Sequence, residues 1–535
     1  MTRFSYQHGL GIILLAAVVA GCGSAAPAPS AAPAPSAPGQ GGTFSIAELE
    51  PPSFLPGQDT GVAEDEVNAL FAPLTKFNAE KQLTDVQAQS VTPADGGRLW
   101  TIKIKPGWTF HDGEPVTAQS YVNAWNATAY GPNAWGNNGS FADFAGYPAL
   151  NPATGKPVAS TLSGLTAPDA TTIQVRLIRP DSQFPLELTT PAFLPLPNAY
   201  FKGPAAWDSA PVGDGPFEVA GPWQPNKSLT VKRYAAYRGQ RPSADGIVFD
   251  IYTSLQSAYT AVQAGQVDVS LIGPATYGAA EKDMPNDVVA YNAPSIDYLG
   301  FPLYNSDFKN KLTREAISLA INRPAISTAL FGGLTTPATS ILPPAEAGAP
   351  LNVCPYCRYD PALARKLLAQ AGGWKGPLVL WYPSGVGYDQ VMQAIANQLT
   401  QNLGIKSITF NASSVTSWVA SLAAKKMTNG ITIGHWGAFF PSMQNTLTNL
   451  FEPTGTVYFE TNYSSPALTK SIQQGDGTSS LAASQAYYRQ AEQLTMNAFP
   501  VVPLFYNKYV YVHGPAVSNV IVDTTQIELS DVIVK

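Results

Sequence analysis

At 535 residues the chain is too long for one hydrophobic core, since single cores stop growing near ~250–300 residues, so two or three domains are expected. Only 13% of residues are charged, the formal net charge is −6, and no block of Lys and Arg offers a phosphate-binding face, which excludes nucleic acid as a partner. With 24 Tyr, 23 Phe and 10 Trp against so little charge, the composition suits a protein that grips something by stacking and shape.

The chain opens with Arg3, an apolar run Leu10–Ala20 too short to span a bilayer, and then Val19-Ala20-Gly21-Cys22. This pattern resembles the bacterial lipoprotein signal. The resemblance implies that residues 1–21 are removed, that Cys22 carries lipid on its sulfur, and that the protein is anchored to the outer face of the cytoplasmic membrane. Residues 22–42 are Ala/Pro/Ser-rich, cannot bury a core, and read as a stiff tether.

The folded part begins with the strand-like Gly42–Ile46 and runs into Glu48-Leu49-Glu50-Pro51-Pro52, a loop of the kind that often meets ligand at the end of a first strand. Val67–Leu74 reads as a helix stopped near Pro73. After a turn at Gly96-Gly97, Trp100, Ile102 and Ile104 alternate with Thr101, Lys103 and Lys105, which marks a strand with one wet side. Asp112-Gly113 reads as a turn, and Thr117 as the cap of a helix that sets Tyr121 against Trp125 at i, i+4. Asp360 is a natural N-cap with Pro361 at the first helical position, Leu363, Leu367 and Leu368 form an apolar stripe, and Gly372 follows as the C′ residue.

Cys354-Pro355-Tyr356-Cys357 fits a redox motif, half a zinc site or a small disulfide loop, and outside the cytoplasm with no second pair the disulfide is expected. In Ile431–Phe451 a short alternating run meets a loop rich in Gly and aromatics, with Trp436, Phe439 and Phe440 serving either as core or as a ligand floor. His111, His435 and His513 lack the clustered spacing of a zinc site. No nucleophile elbow, P-loop or dinucleotide fingerprint is present, so neither an enzyme nor a cofactor is expected, and a secreted hydrolase is a weak rival.

Several stretches follow one another in a telling order. They are Leu70–Leu74, Asp95-Gly96-Gly97, Phe110–Ala118, Pro211–Phe217 with Asp214 where Thr is usual, Ala264–Asp268, Leu312–Arg323 with Asn322 for the usual Asp, and Tyr359–Gly372. Together they resemble the family 5 extracellular solute-binding proteins, receptors that deliver oligopeptides, dipeptides or nickel to ABC importers. The resemblance implies an α/β fold, a two-lobed periplasmic-binding-protein type II-like clamp of cluster C with an extra domain inserted in lobe one. Lobe one is then placed at 43–60, 206–293 and 505–535, the extra domain at 61–205 and lobe two at 294–504. The chain would cross between lobes near Pro294–Tyr304 and Pro500–Leu504, forming a hinge that closes on the solute. Arg314 and Arg323 fall in the family's longest motif and read as fold-maintaining. The expected partners are a small solute, the ABC permease and its ATPase subunits, and the membrane through the lipid, with the receptor itself a monomer.

In the dipeptide receptors a W-x-G-D motif supplies an Asp for the peptide's ammonium, and here Phe439 occupies that place; no Arg for the carboxylate stands near Ser384-Gly385. A buried terminus without a partner is costly. The resemblance therefore points to an oligopeptide held through its main chain and by aromatics, with a sugar, siderophore or metal chelate as the alternative solute. The ligand-binding residues it implies are Glu48, Tyr304, Ser384, Tyr388, Trp436, Gly437, Phe439 and Phe440.

Overall fold

The computed structural model describes residues 41–535 apart from 60, 62, 79–81, 439, 454, 524 and 525. The expected signal segment, the lipid-bearing Cys22 and the candidate ligand residue Phe439 lie outside the described residues.

One sheet organises the described residues. In chain order its strands are β1 (Thr43–Leu49), β2 (Phe217–Val219), β3 (Ser228–Arg233), β4 (Gly246–Tyr252), β5 (Val269–Leu271), β6 (Val288–Gly300), β7 (Leu378–Pro383), β8 (Ile408–Ser413), β9 (Gly430–Gly437) and β10 (Val501–His513). In space they run β8-β7-β9-β6-β10-β5-β1-β4-β3-β2, with the short strand Thr336–Pro337 paired to β10. One hydrophobic core lies on the β1 side and includes Phe44, Ile46, Phe249 and Tyr511; a second, with Ile296, Leu380, Ile433 and Leu504, lies on the β9 side. These are the two lobes.

Among the described residues, only β6 and β10, thirteen residues each and antiparallel, run through both halves. Their pairing breaks register between Asn292 and Ile296, and the exposed or half-exposed residues Ala290–Asn292 and Asn507–Tyr509 cluster at that level. The passage of β10 between cores thus lies at Asn507–Tyr509, several residues beyond the expected Pro500–Leu504, because Leu504, Phe505 and Tyr506 still pack in the second core.

The stretch expected to be a separate extra domain has its own four-stranded antiparallel sheet, built from Ala88–Ala94, Leu99–Ile104, Leu165–Asp169 and Thr172–Arg176. Trp100, Ile102 and Ile104 point inward from it, as their alternation dictates, and join the core of lobe one. The inserted stretch and lobe one therefore share a single core.

The helices follow local rules. Seven of those among the described residues are, in chain order, α1 (Glu64–Leu70), α2 (Ala118–Ala129), α3 (Lys311–Leu319), α4 (Arg323–Phe331), α5 (Pro361–Gln370), α6 (Tyr388–Leu403) and α7 (Leu481–Ala498). Thr117 and Ser120 form a capping box at α2, where Tyr121 and Trp125 meet edge to face at 6.0 Å. Asn322 keeps the cap of α4, accepting from the Ala325 N–H at 3.1 Å, and Asp360 accepts from Leu363 N–H at 3.0 Å. Helix α1 begins three residues before the expected Val67 and ends at Leu70, so three acidic residues, Glu64, Asp65 and Glu66, form its first turn. Cys354 and Cys357 are joined in a disulfide.

Lobe one is pinned around the turn 211–216. Its Asp214 is fully buried, accepts from Ala72 N–H at 3.1 Å and from the Gln87 amide, and is pushed up to about 7 by burial, which these hydrogen bonds only partly offset. A carboxyl whose folded-state pKa is raised contributes stability that is complete below its unfolded value and lost as pH rises toward 7. Asp214→Asn removes that titration while adding a fixed cost, because its amide faces the Gln87 donor. Thermal unfolding at pH 5 and pH 8 should show the wild type losing about 3 kcal/mol more than the variant across the interval. Equal losses would place the ionisation elsewhere.

Candidate functional site

The crossing ribbon lies between the strands of the two lobes, with β9 next to β6 on one side and β5 then β1 beyond β10 on the other. Strand β9 decides the second wall. Its pairing with β7 stops at Thr432, whereas its pairing with β6 continues to Gly437, so Ile433–Gly437 carry a strand partner on one side only. Within that stretch His435 and Gly437 are exposed while Trp436 and Ala438 are buried.

Period two explains the assignment: His435 and Trp436 are neighbours and must face opposite ways. Trp436 points into the second core, 5% exposed, and not into the cleft where it was expected. His435 is exposed on the opposite face instead. Its Nδ1 lies 2.8 Å from Asp297 Oδ1, and its Nε2 lies beside Gly437, 3.5 Å from where a Cβ on that glycine would be. Desolvation alone would lower the His435 pKa, but the hydrogen bond and charge of Asp297 outweigh it and the imidazole is raised above its ordinary value.

Tyr388, first residue of α6, donates to the same Asp297 oxygen at 3.2 Å, so Asp297 orients both groups. Burial and then Asp297 raise the Tyr388 phenol, which stays protonated as a donor. Ser384 is exposed at the end of β7, with its N–H bound to Ser413 O at 2.8 Å. Behind this wall Tyr298 donates to Glu460, whose carboxyl burial pushes up to about 8.

Tyr304 does not join them. It follows Gly300 at the far end of β6 from Ser295 and Gly437, and its hydroxyl donates to Met427 O at 3.1 Å. Phe440 is buried, but against Phe77 and Leu186 of the inserted stretch, where it links the two halves. Polar contacts accompany it: Ser442 Oγ donates to Gln183 Oε1 at 2.8 Å and Gln183 Nε2 to Ser484 Oγ at 3.0 Å.

On the other wall Glu48, near the end of β1, is half-buried and bonded to Asp65 of α1. Asp65 also accepts from Tyr511 and from the Ile527 N–H, and burial pushes it up to about 6. A cavity of about 320 Å³ opens beside them, lined by Glu64, Asn68, Phe71 and Ile527 from lobe one and by Phe440 and Pro441 from the other side. Sequence reading missed His435, Asp297, Asp65 and Glu66. For His435 the strand parity carried the signal; for the acids nothing local did.

His111 belongs to the scaffold. It accepts from Gly213 N–H at 3.1 Å, and burial lowers its pKa to about 4.

Comparison with known proteins agrees with this architecture. The family described as bacterial extracellular solute-binding proteins, family 5 Middle, matches residues 83–458. The glutathione-binding protein GsiB of Escherichia coli (strain K12) is 28% identical over 460 residues, covering 83% of this chain and 85% of that protein. The murein tripeptide binding protein MppA of Escherichia coli superposes with a TM-score of 0.71 at 21% identity, covering 93% of this chain and 99% of that one. The OppA of Haemophilus influenzae, solved in complex with the peptide RPPGFSPFR, gives 0.70 at 20% identity over 92% of this chain and 98% of that one.

Proposed function

Because the chain belongs to the bacterial extracellular solute-binding proteins of family 5, we propose that it is the solute-capturing lipoprotein of an ABC importer and that its solute is a peptide. The two lobes close on the solute by bending the β6–β10 ribbon, and the closed form is presented to the permease. The observation that carries the peptide reading is the one-sided pairing of Ile433–Gly437, an open strand edge beside an exposed, carboxylate-held imidazole. An extended peptide adds its backbone to such an edge while its side chains remain in wet space. The relatives named for binding glutathione, murein tripeptide and a nonapeptide support peptide-like chemistry without fixing its length.

His435 takes the part of the missing Arg. Raised and oriented by Asp297, its Nε2–H is available to a ligand carboxylate. A hydrogen bond to a charged group contributes about 1.5–3 kcal/mol, so His435→Ala should weaken binding of a free-acid tripeptide roughly 10- to 100-fold and spare its C-terminal amide. Since the imidazole's pKa is raised, the wild-type preference for the acid is full at low pH and fades as pH rises through that value. Calorimetry against a peptide-length series tests the whole reading. Heat from no peptide, with a sugar or chelate bound instead, overturns it, and mass spectrometry of a co-purifying solute would decide the same point directly.

A further inference from the structure

Glu48, Asp65 and Glu66 converge where β1 ends and α1 begins, and the charges acting most strongly on them are negative. Glu66, then Asp65 and Glu64, act on Glu48, while Asp65, Asp59 and Glu50 act on Glu66. Like charges packed this closely oppose one another unless protons or a cation intervene. Asp65 is partly satisfied by Tyr511 and Ile527. Glu66 is not: it is 0% exposed, and neither of its carboxylate oxygens has a hydrogen-bond partner in another residue. A fully buried carboxyl that no other residue meets is a costly arrangement that a scaffold has no reason to keep.

The cluster also has space beside it. Glu64, the residue before Asp65, and Ile527, whose N–H bonds Asp65, both line the cavity of about 320 Å³, and Phe440 and Pro441 close it from the second lobe. The other charged groups on that cavity are committed elsewhere or lie in the inserted stretch and its neighbours. Lys76 pairs with Glu528 at 3.1 Å, and Lys105 donates to the Asp85 and Val86 carbonyls. Arg238 stands beside Gly107.

Resting on the peptide reading above, we infer that the solute carries a cationic amine, and that Glu48, Asp65 and Glu66 of lobe one receive it in place of the carboxylate that the β9 loop lacks. Tyr509 and Tyr511, which face Glu64 and Asp65 from β10, complete the polar surround. Binding exchanges the protons held by the cluster for the ammonium, so the solute's charge enters without leaving a net buried charge.

The probe is Ala-Lys-Ala amide, compared by calorimetry with its Nα,Nε-diacetyl form. Wild type should bind the cationic peptide at least 30-fold more tightly, and at pH 6 the heat should vary with buffer ionisation enthalpy in the sense of proton release. Glu66→Gln should cut affinity for the cationic peptide at least tenfold and leave the diacetyl form unchanged. Glu48→Gln, at a half-buried strand position, provides a second variant should the first fail to fold. Equal wild-type affinity for both forms, or equal loss of both in the variants, overturns the inference and leaves the peptide reading standing. If neither peptide binds, the peptide reading falls, and spermidine alone decides the cluster. A thermal shift in wild type that Glu66→Gln abolishes supports it, and no shift overturns it.

Discussion

Arg323→Ala should lower the unfolding free energy by about 4 kcal/mol, the sum expected for a long buried side chain lost and several buried acceptors left unmet. Arg323 opens α4 and is 1% exposed. Its Nε donates to Pro503 O at 2.7 Å, its Nη1 to Ser318 O at 3.1 Å and its Nη2 to Ser318 Oγ at 2.8 Å. One planar group thereby joins the end of α3 to the crossing strand β10. Burial pulls its pKa down, since carbonyl and hydroxyl oxygens and no carboxylate surround it. Arg323→Lys should recover little, because a single ammonium cannot span acceptors that a rigid fork reaches together. Denaturant unfolding followed by tryptophan fluorescence measures the effect, and a loss below about 1 kcal/mol would show that these bonds contribute no more than water does.

Gly213→Ala should be as damaging, for a reason of space and not of backbone angle. A Cβ at Gly213 would lie 1.9 Å from Leu70 O and 2.8 Å from Leu70 C. Neither atom can yield, because both are backbone at the end of α1. To admit the methyl, the turn and the helix must separate, which breaks the Gly215 N–H bond to Leu70 O at 2.8 Å and the Asp214 bond to Ala72 N–H at 3.1 Å. The expected loss is about 3 kcal/mol or more. Thermal unfolding should register it, and because α1 carries Asp65 and Glu66, binding of a cationic peptide should fall with it. A variant as stable as wild type would mean that the turn has room it does not show.

These residues indicate how far the sequence could be read. Local rules worked where the cause was local: the alternation of Trp100, Ile102 and Ile104, the cap at Asp360 and the capping box at Thr117 all stand in the structure as expected. The order of motifs also led to the right family and the two-lobed fold. Parity was the missed step at the site, since Trp436 drew attention as an aromatic while its neighbour His435 is the exposed one. What orients and charges His435 is Asp297, 138 positions away on β6, and no pattern within either strand announces that pairing. The acids of α1 were harder still. Glu64, Asp65 and Glu66 lie just before the expected helix start at Val67, and the Tyr511 hydroxyl and Ile527 N–H that bond Asp65 come from the far end of the chain. Phe440 illustrates the converse: it was expected at the ligand, yet it is buried against Phe77 and Leu186 of the inserted stretch.

The position of β10 also governs how the chain acquires its shape over time. It is the last strand of the large sheet in chain order, yet it sits between β6 and β5, near the middle. Strand β1, the first in the sheet along the chain, finds its first partner only at β4, where Thr43 meets Gly246. Pairings this distant are slow to form, and a growing chain cannot complete either half before Val501–His513 arrives. The ribbon that joins the lobes is thus also the final stitch, and it ties the maturation of both lobes to a single late event.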